Sequence, residues 1–256
     1  MSAKQKSLAK GDFDAIGEER RTTDLVVNAI RERVVSGVLP AGERVAQDDL
    51  AAELNVSRTP VREAILRLQE EGFLEIIPYR GTVVREISPR IVEEVYSLRI
   101  PLEGLAARAG APHLSDDQIE QLGGFEREIE TLDQLINNPS FVSLNREFHY
   151  TLYHASGWTE LIRLIDPLFA HGQRFTMHYR AEESPTNIQA ALKNEHGKVL
   201  DACRRRDGVA AEQAMRMHLV SACGLLLGKH TKFDSLELMP ALLTNDELHL
   251  LRQQFE

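Results

Sequence analysis

Residues 50–72 read LAAELNVSRTPVREAILRLQEEG, the pattern of two short helices joined by a turn. Leu50, Ala51 and Leu54 place apolar side chains on one face of a short helix. After Asn55 and Val56 a second helix opens through Ser57-Arg58-Thr59-Pro60. Ser57 or Thr59 can cap it, and Pro60 falls in its first turn, where a missing N–H costs nothing. Val61, Ala64, Ile65 and Leu68 form its inward stripe, and Gly72 stops it.

Working upstream, helical periodicity starts near Thr23, with Leu25, Val26, Ala29, Ile30 and Val34 at three- and four-residue steps. Ser36-Gly37 ends that helix, and Leu39-Pro40-Ala41-Gly42 is a turn. Downstream, Phe73 to Ile77 and Thr82 to Ile87 are rich in β-branched residues and flank Pro78-Tyr79-Arg80-Gly81, the pattern of a two-stranded hairpin. Three short helices and a hairpin over residues 22–87 outline a winged helix-turn-helix. Residues 1–21 are polar and aperiodic and read as a mobile arm.

Beyond Ser88-Pro89 the pattern is helix after helix, expected over 89–110, 115–137, 139–155, 158–180, 185–206 and 208–230. Ser115-Asp116-Asp117-Gln118 is a capping-box pattern, Asn138-Pro139 a cap followed by proline, and Asp207 a further cap. Pro101 and Pro167 fall inside two of these helices and should kink them. The expectation is a mostly α protein: the winged head, then an antiparallel all-α bundle of six or seven helices over 88–231. The tail, 232–256, holds one more amphipathic piece from Asp246 to Phe255, which the pattern does not place.

No apolar run approaches the roughly 18 residues of a membrane span, and Met1 to Gly11 have no apolar segment of a secretory signal. The two cysteines, Cys203 and Cys223, form no framework, so a cytoplasmic, reducing setting is expected. The net charge of −9 tells against any general attraction to a polyanion, and even 22–88 holds more Asp and Glu than Lys and Arg. Nucleic-acid binding must rest on where the arginines sit.

Arg58 and Arg62 are four apart at the start of the second helix of the pair, so they neighbour one another on its surface. A helix N-terminus enters the major groove in this motif, and an arginine fork can hold guanine O6 and N7 or bridge phosphates. Ser57 and Thr59 suit phosphate oxygens. Arg80, at the hairpin tip beside Gly81, can enter the minor groove or touch the backbone.

With these residues in place, the stretch Leu39-Pro-Ala-Gly-Glu-Arg-Val and residues 50–72 resemble the winged head of the GntR family. The resemblance implies a dimer on a palindromic DNA operator, with contacts from Arg58, Thr59, Arg62 and the wing glycine, Gly81. Some members carry an arginine early in the second helix, where this chain has Gln47-Asp48-Asp49.

In the bundle, His149, His196 and His218 lie on apolar stripes of three different helices. An inward imidazole is unfavourable unless bonded, and inward side chains from facing helices are how bundles build metal sites. The other six histidines, among them His171, show no such pattern and are expected to be mostly solvated or partly buried. Arg99-Ile-Pro-Leu-Glu-Gly-Leu-Ala-Ala-Arg108, Asn145-Arg-Glu-Phe-His149, Glu195-His196 and Met217-His218-Leu219 resemble the FCD ligand-binding domain of FadR-type GntR regulators. The resemblance implies a divalent ion, commonly zinc, held by Asn145, His149, His196 and His218. Members with that ion have Asp where this chain has neutral Asn145, so a weaker site is expected. It also implies a small carboxylate effector, which the metal and Arg99 would hold together; Arg99 pairing structurally with Glu103 or Glu147 is the alternative.

The expected function is therefore a non-enzymatic transcriptional regulator, a repressor by preference, whose effector changes the spacing or mobility of the DNA heads. A metal-dependent hydrolase is the rival, but Glu147 and Glu195 adjoin the histidines off the inner stripe and supply no evident general base. A winged helix that binds protein is the third reading.

Overall fold

The computed structural model describes residues 10–132, 139–180, 185–228 and 230–255. The chain forms two compact units, 1–86 and 87–256. In the first, α1 (Lys10–Val35), α2 (Gln47–Glu53) and α3 (Arg58–Glu70) precede the hairpin β1 (Leu74–Ile77) and β2 (Gly81–Val84). The first helix begins well before Thr23, so residues 10–21 are helical and not an aperiodic arm; residues 1–9 lie outside the described ones. Helix formers such as Glu18, Glu19, Arg20 and Arg21 extend the helix, while Phe13 and Ile16 alone are too few to set a period.

α1 packs against α3, with Val27, Ile30 and Val34 of one and Val61, Ala64 and Leu68 of the other buried. Polar bonds frame this core: Arg31 to Glu71 at 2.7 Å, Arg67 to Asp24 at 2.7 Å, and Thr23 to Glu63 at 3.1 Å. The strands pair antiparallel from Leu74 opposite Val84 to Ile77 opposite Gly81, and a bridge joins Arg44 to Val83. The second strand ends at Val84, three residues short of the expected end.

The second unit holds α4 (Pro89–Gly110), α5 (Asp116–Thr131), α6 (Pro139–His154), α7 (Thr159–Arg180), α8 (Pro185–Arg204) and α9 (Gly208–Leu227). Ser88 caps α4 by accepting from the Ile91 amide at 3.3 Å, Ser115 and Gln118 form the expected capping box, and Asp207 caps α9. The expected cap at Asn138 lies outside the described residues, as do 133–138, where the second bundle helix was expected to run on past Thr131. Pro101 lies inside α4 and Pro167 inside α7. α4 packs against α6, α7 and α9, so its Tyr96 and Ile100 join the central core with Phe148, Phe169, Met215 and Leu219.

The tail, unplaced by its sequence, packs on this unit through α10 (Met239–Leu242) and α11 (Asn245–Gln253). Buried Glu93 of α4 accepts the amides of Leu238 at 2.7 Å and Met239 at 3.0 Å. Arg216 of α9 grips Glu247 of α11 through two bonds of 2.6 and 2.9 Å.

Candidate DNA-reading face and histidine centre

Ser57 sits at the N-cap of α3, but its hydroxyl makes no capping bond. Ser57, Arg58, Thr59 and Arg62 are exposed together at the start of this helix, while Pro60, Val61, Ala64 and Ile65 face inward. Arg58 Nε lies 2.8 Å from Asp48 of α2, and its carbonyl accepts from Gln47 Nε2 at 2.9 Å. Gln47 and Asp48 of α2 thus hold Arg58, one through its carbonyl and the other through its guanidinium.

At the wing tip, Arg80 N bonds to Ile77 O at 3.1 Å, closing a turn with Pro78 and Tyr79 at its centre. Tyr79 has φ of 64° and is fully exposed. That left-handed conformation is uncommon for a residue with a side chain, and nothing in the spacing singled Tyr79 out. Arg80 is exposed and touches the Gly42 carbonyl at 3.4 Å; Gly81 follows with φ of 80°, where glycine is free of Cβ strain.

In the second unit the three histidines on separate helices meet. Potential ligand atoms of His149, His196 and His218 all lie within 4.8 Å of one another, and all three side chains are buried. The ring centroids stand 5.5 Å (His149 to His196), 5.2 Å (His149 to His218) and 4.7 Å (His196 to His218) apart. Asn145, one turn before His149, lines a cavity of about 60 Å³ together with Arg99, His149, Gln173, Thr176 and His218.

Hydrogen bonds assign the tautomer of His149. The Tyr153 hydroxyl donates to Glu103 Oε2 at 2.6 Å, so its oxygen is left to accept from His149 Nδ1 at 2.7 Å. Nε2 then carries the lone pair. Burial, and after it the neighbouring His218, His196 and Arg99, hold the His149 pKa well below its usual value, so the ring is neutral. Burial first, then Glu103, pushes the Tyr153 pKa well up, which keeps its hydroxyl a donor. A neutral imidazole with a free Nε2 and a hydrogen-bonded Nδ1 is the form that ligates metal. The donor set fits a divalent ion.

Arg99 is buried and paired with Glu103, Nε to Oε1 at 2.6 Å. Burial works against its charge, but Glu103, together with Tyr96 and Tyr153, more than offsets this and raises its pKa. Its guanidinium also lies over the Tyr96 ring at 4.7 Å and the Phe169 ring at 5.3 Å. The close approach to α7 requires Gly172, because a Cβ there would overlap Arg99. The ion pair read as the alternative is thus present, and Arg99 still lines the cavity beside Asn145 and His149. The chain Arg99, Glu103, Tyr153, His149 ties the arginine to the histidine cluster; Glu103 was foreseen only as a partner for Arg99, and Tyr153 was missed because its position reads as ordinary core. Glu147 is exposed, whereas the Glu195 carboxylate reaches within 3.4 Å of His218 Nδ1, closer to the centre than its place off the inner stripe suggested. His171 is buried and stacked on Phe175 at 5.8 Å, against the expectation that it is at least partly solvated.

The family model described as bacterial regulatory proteins, gntR family, matches residues 22–84, and that of the FCD domain matches residues 94–221. The chain belongs to the GntR family. It is a DNA-binding transcriptional regulator with an FCD domain, in a class of regulators and not of enzymes, and the hydrolase reading falls. This GntR regulator is 28% identical over 194 residues to the HTH-type transcriptional repressor RspR of Escherichia coli, across 76% of this chain and 84% of that protein. It is 27% identical over 183 residues to the HTH-type transcriptional regulator McbR of the same organism, across 71% and 82% of the two. Its fold resembles the solved structure of E. coli McbR/YncC, with a TM-score of 0.73 and 22% identity over 82% of this chain and 99% of that one. GntR regulators bind DNA and are commonly dimeric, and FCD domains take small-molecule effectors and in some cases metal ions. No helix among the described residues is long and apolar enough to cross a membrane.

Proposed function

We propose that this regulator is a cytoplasmic, homodimeric repressor whose affinity for a palindromic operator is set by a small carboxylate bound beside a divalent metal ion, zinc by preference. The observation that carries the reading is the cluster of three buried histidines, two of which, His149 and His218, line one small cavity together with Arg99. His149, His196 and His218 would hold the ion, with Asn145 as a neutral fourth donor. A cation bound there supplies positive charge to an anionic ligand. Arg99 adds a second positive group, and Gln173 and Thr176 offer hydrogen bonds to an effector of few atoms. Ser57, Arg58, Thr59, Arg62, Arg80 and Gly81 form the DNA-reading set. Exposed Leu98, Pro101 and Leu105 share one face of α4 and support pairing of two bundles.

Elemental analysis and mass spectrometry of the protein as purified identify the ion and any retained acid. An operator titration with and without that acid then tests the coupling. Identical affinities refute it, and protein that takes up no divalent ion refutes the metal centre.

A further inference from the structure

Asn145 makes the proposed donor set of three imidazoles and one amide neutral, which raises the question of what balances a divalent charge in this interior. Burying an uncompensated ion is strongly unfavourable. Glu103 is adjacent, but Arg99 already neutralises it at 2.6 Å, so that pair contributes no net charge. Asp166, beyond the cluster, is bonded to Arg146 at 2.8 Å and to Tyr150 at 2.7 Å.

Glu195 is differently placed. Its Oε2 is buried and lies 3.4 Å from Nδ1 of His218, and neither atom has a hydrogen-bond partner among the described residues. A carboxylate and an imidazole nitrogen that face one another unsatisfied are one small shift from a bond. With Nδ1 turned to Glu195, the remaining ring nitrogen of His218 is Nε2, the same choice that Tyr153 makes for His149. We infer that Glu195 is the positioning and charge-compensating residue of the centre: its carboxylate accepts a hydrogen bond from the Nδ1–H of His218, leaves Nε2 as the metal donor, and supplies the negative charge that Asn145 does not. This rests on the metal reading above. Carboxylates in this role orient the ligand and raise its basicity, and their loss lowers metal affinity about 10- to 100-fold.

The test is zinc titrated into the metal-free full-length protein against a competing chelator, with the thermal melt of each metal-free variant recorded alongside. Glu195→Gln keeps the shape and removes the charge; its zinc affinity is expected to fall about 10- to 100-fold with the metal-free melt unchanged. Glu195→Asp keeps the charge and is expected to bind within a few-fold of the parent. Asn145→Asp is expected to bind more tightly than the parent and to restore most of the loss when combined with Glu195→Gln. A parent that binds zinc while Glu195→Gln matches it overturns the role of Glu195 and leaves the centre standing. Equal losses in the Gln and Asp variants also overturn it, because shape and not charge is then what matters. A parent and an Asn145→Asp variant that both ignore zinc overturn the metal reading itself.

Discussion

Arg58 Nε lies 2.8 Å from Asp48 Oδ1 while both side chains stay largely exposed, so an arginine of the proposed DNA-reading face is held by a carboxylate of the preceding helix. An exposed pair of this kind is worth about 0–1 kcal/mol, less than a good contact to a base or phosphate. DNA can therefore displace Asp48 from Arg58. Asp48→Asn removes a negative charge from this face and is expected to strengthen binding to duplexes of any sequence several-fold at low salt. Fluorescence anisotropy at two salt concentrations reads it, and unchanged binding would place Asp48 away from the DNA.

Arg62 sits one turn further along α3 and is exposed. A bidentate arginine–guanine contact discriminates by about 1–3 kcal/mol. Arg62→Ala is expected to weaken binding to a site selected from random sequence by about tenfold or more, and binding to unselected duplex far less. Equal losses on both would reduce Arg62 to a phosphate contact.

Zinc at a hundred times its dissociation constant stabilises a protein by about 2.7 kcal/mol. For a helical unit of this size that is a rise in melting temperature of roughly 5–10 °C. The rise is expected to vanish in His196→Ala and on addition of chelator. A rise that persists in His196→Ala would mean that the ion binds elsewhere.

Removing Arg99 leaves Glu103 buried and unpaired, so Arg99→Ala is expected to destabilise the bundle by about 3–5 kcal/mol in urea. Adding Glu103→Gln should recover part of this loss, since the stranded charge goes with it. A double variant as unstable as the sum of the two single ones would show that the pair is not coupled. Effector affinity must be compared in the double variant, where a change reports binding and not the stranded carboxylate.

Glu247 holds α11 to α9 through Arg216. Burial pushes its pKa up, but the Arg216 hydrogen bonds and the Thr244 amide more than offset this, so it lies below its ordinary value of 4.5. A depressed carboxylate contributes stability that is present above the unfolded pKa and lost as pH falls through the folded one. The amides of α11 are thus expected to lose hydrogen-exchange protection early on acidification below about pH 4.5. Glu247→Gln should loosen α11 already at pH 7, by about 1–3 kcal/mol. Full protection in that variant would show that apolar packing alone holds the tail.

The head was legible because its evidence is local. Pro60 after Ser57, the stripe from Val61 to Leu68 and the stop at Gly72 are signals that neighbouring residues write together. The inward direction of His149, His196 and His218 was legible for the same reason, as each sits on the apolar side of its own helix. The start of α1 was not, because from Lys10 to Arg21 the apolar residues are few (Phe13, Ala15 and Ile16) and glycine falls at 11 and 17, too little to mark a helical period.

Amino-acid order alone determined most of the helices, the wing and the inward stripes that hold His149, His196 and His218, since these follow from spacing along one chain. It did not determine that three imidazoles from distant segments meet within 4.8 Å, that Arg99 spends its charge on Glu103, or that Glu195 reaches His218. Those are meetings between helices, set by how α4, α6, α8 and α9 pack, and no periodicity within a single helix carries the distance between two.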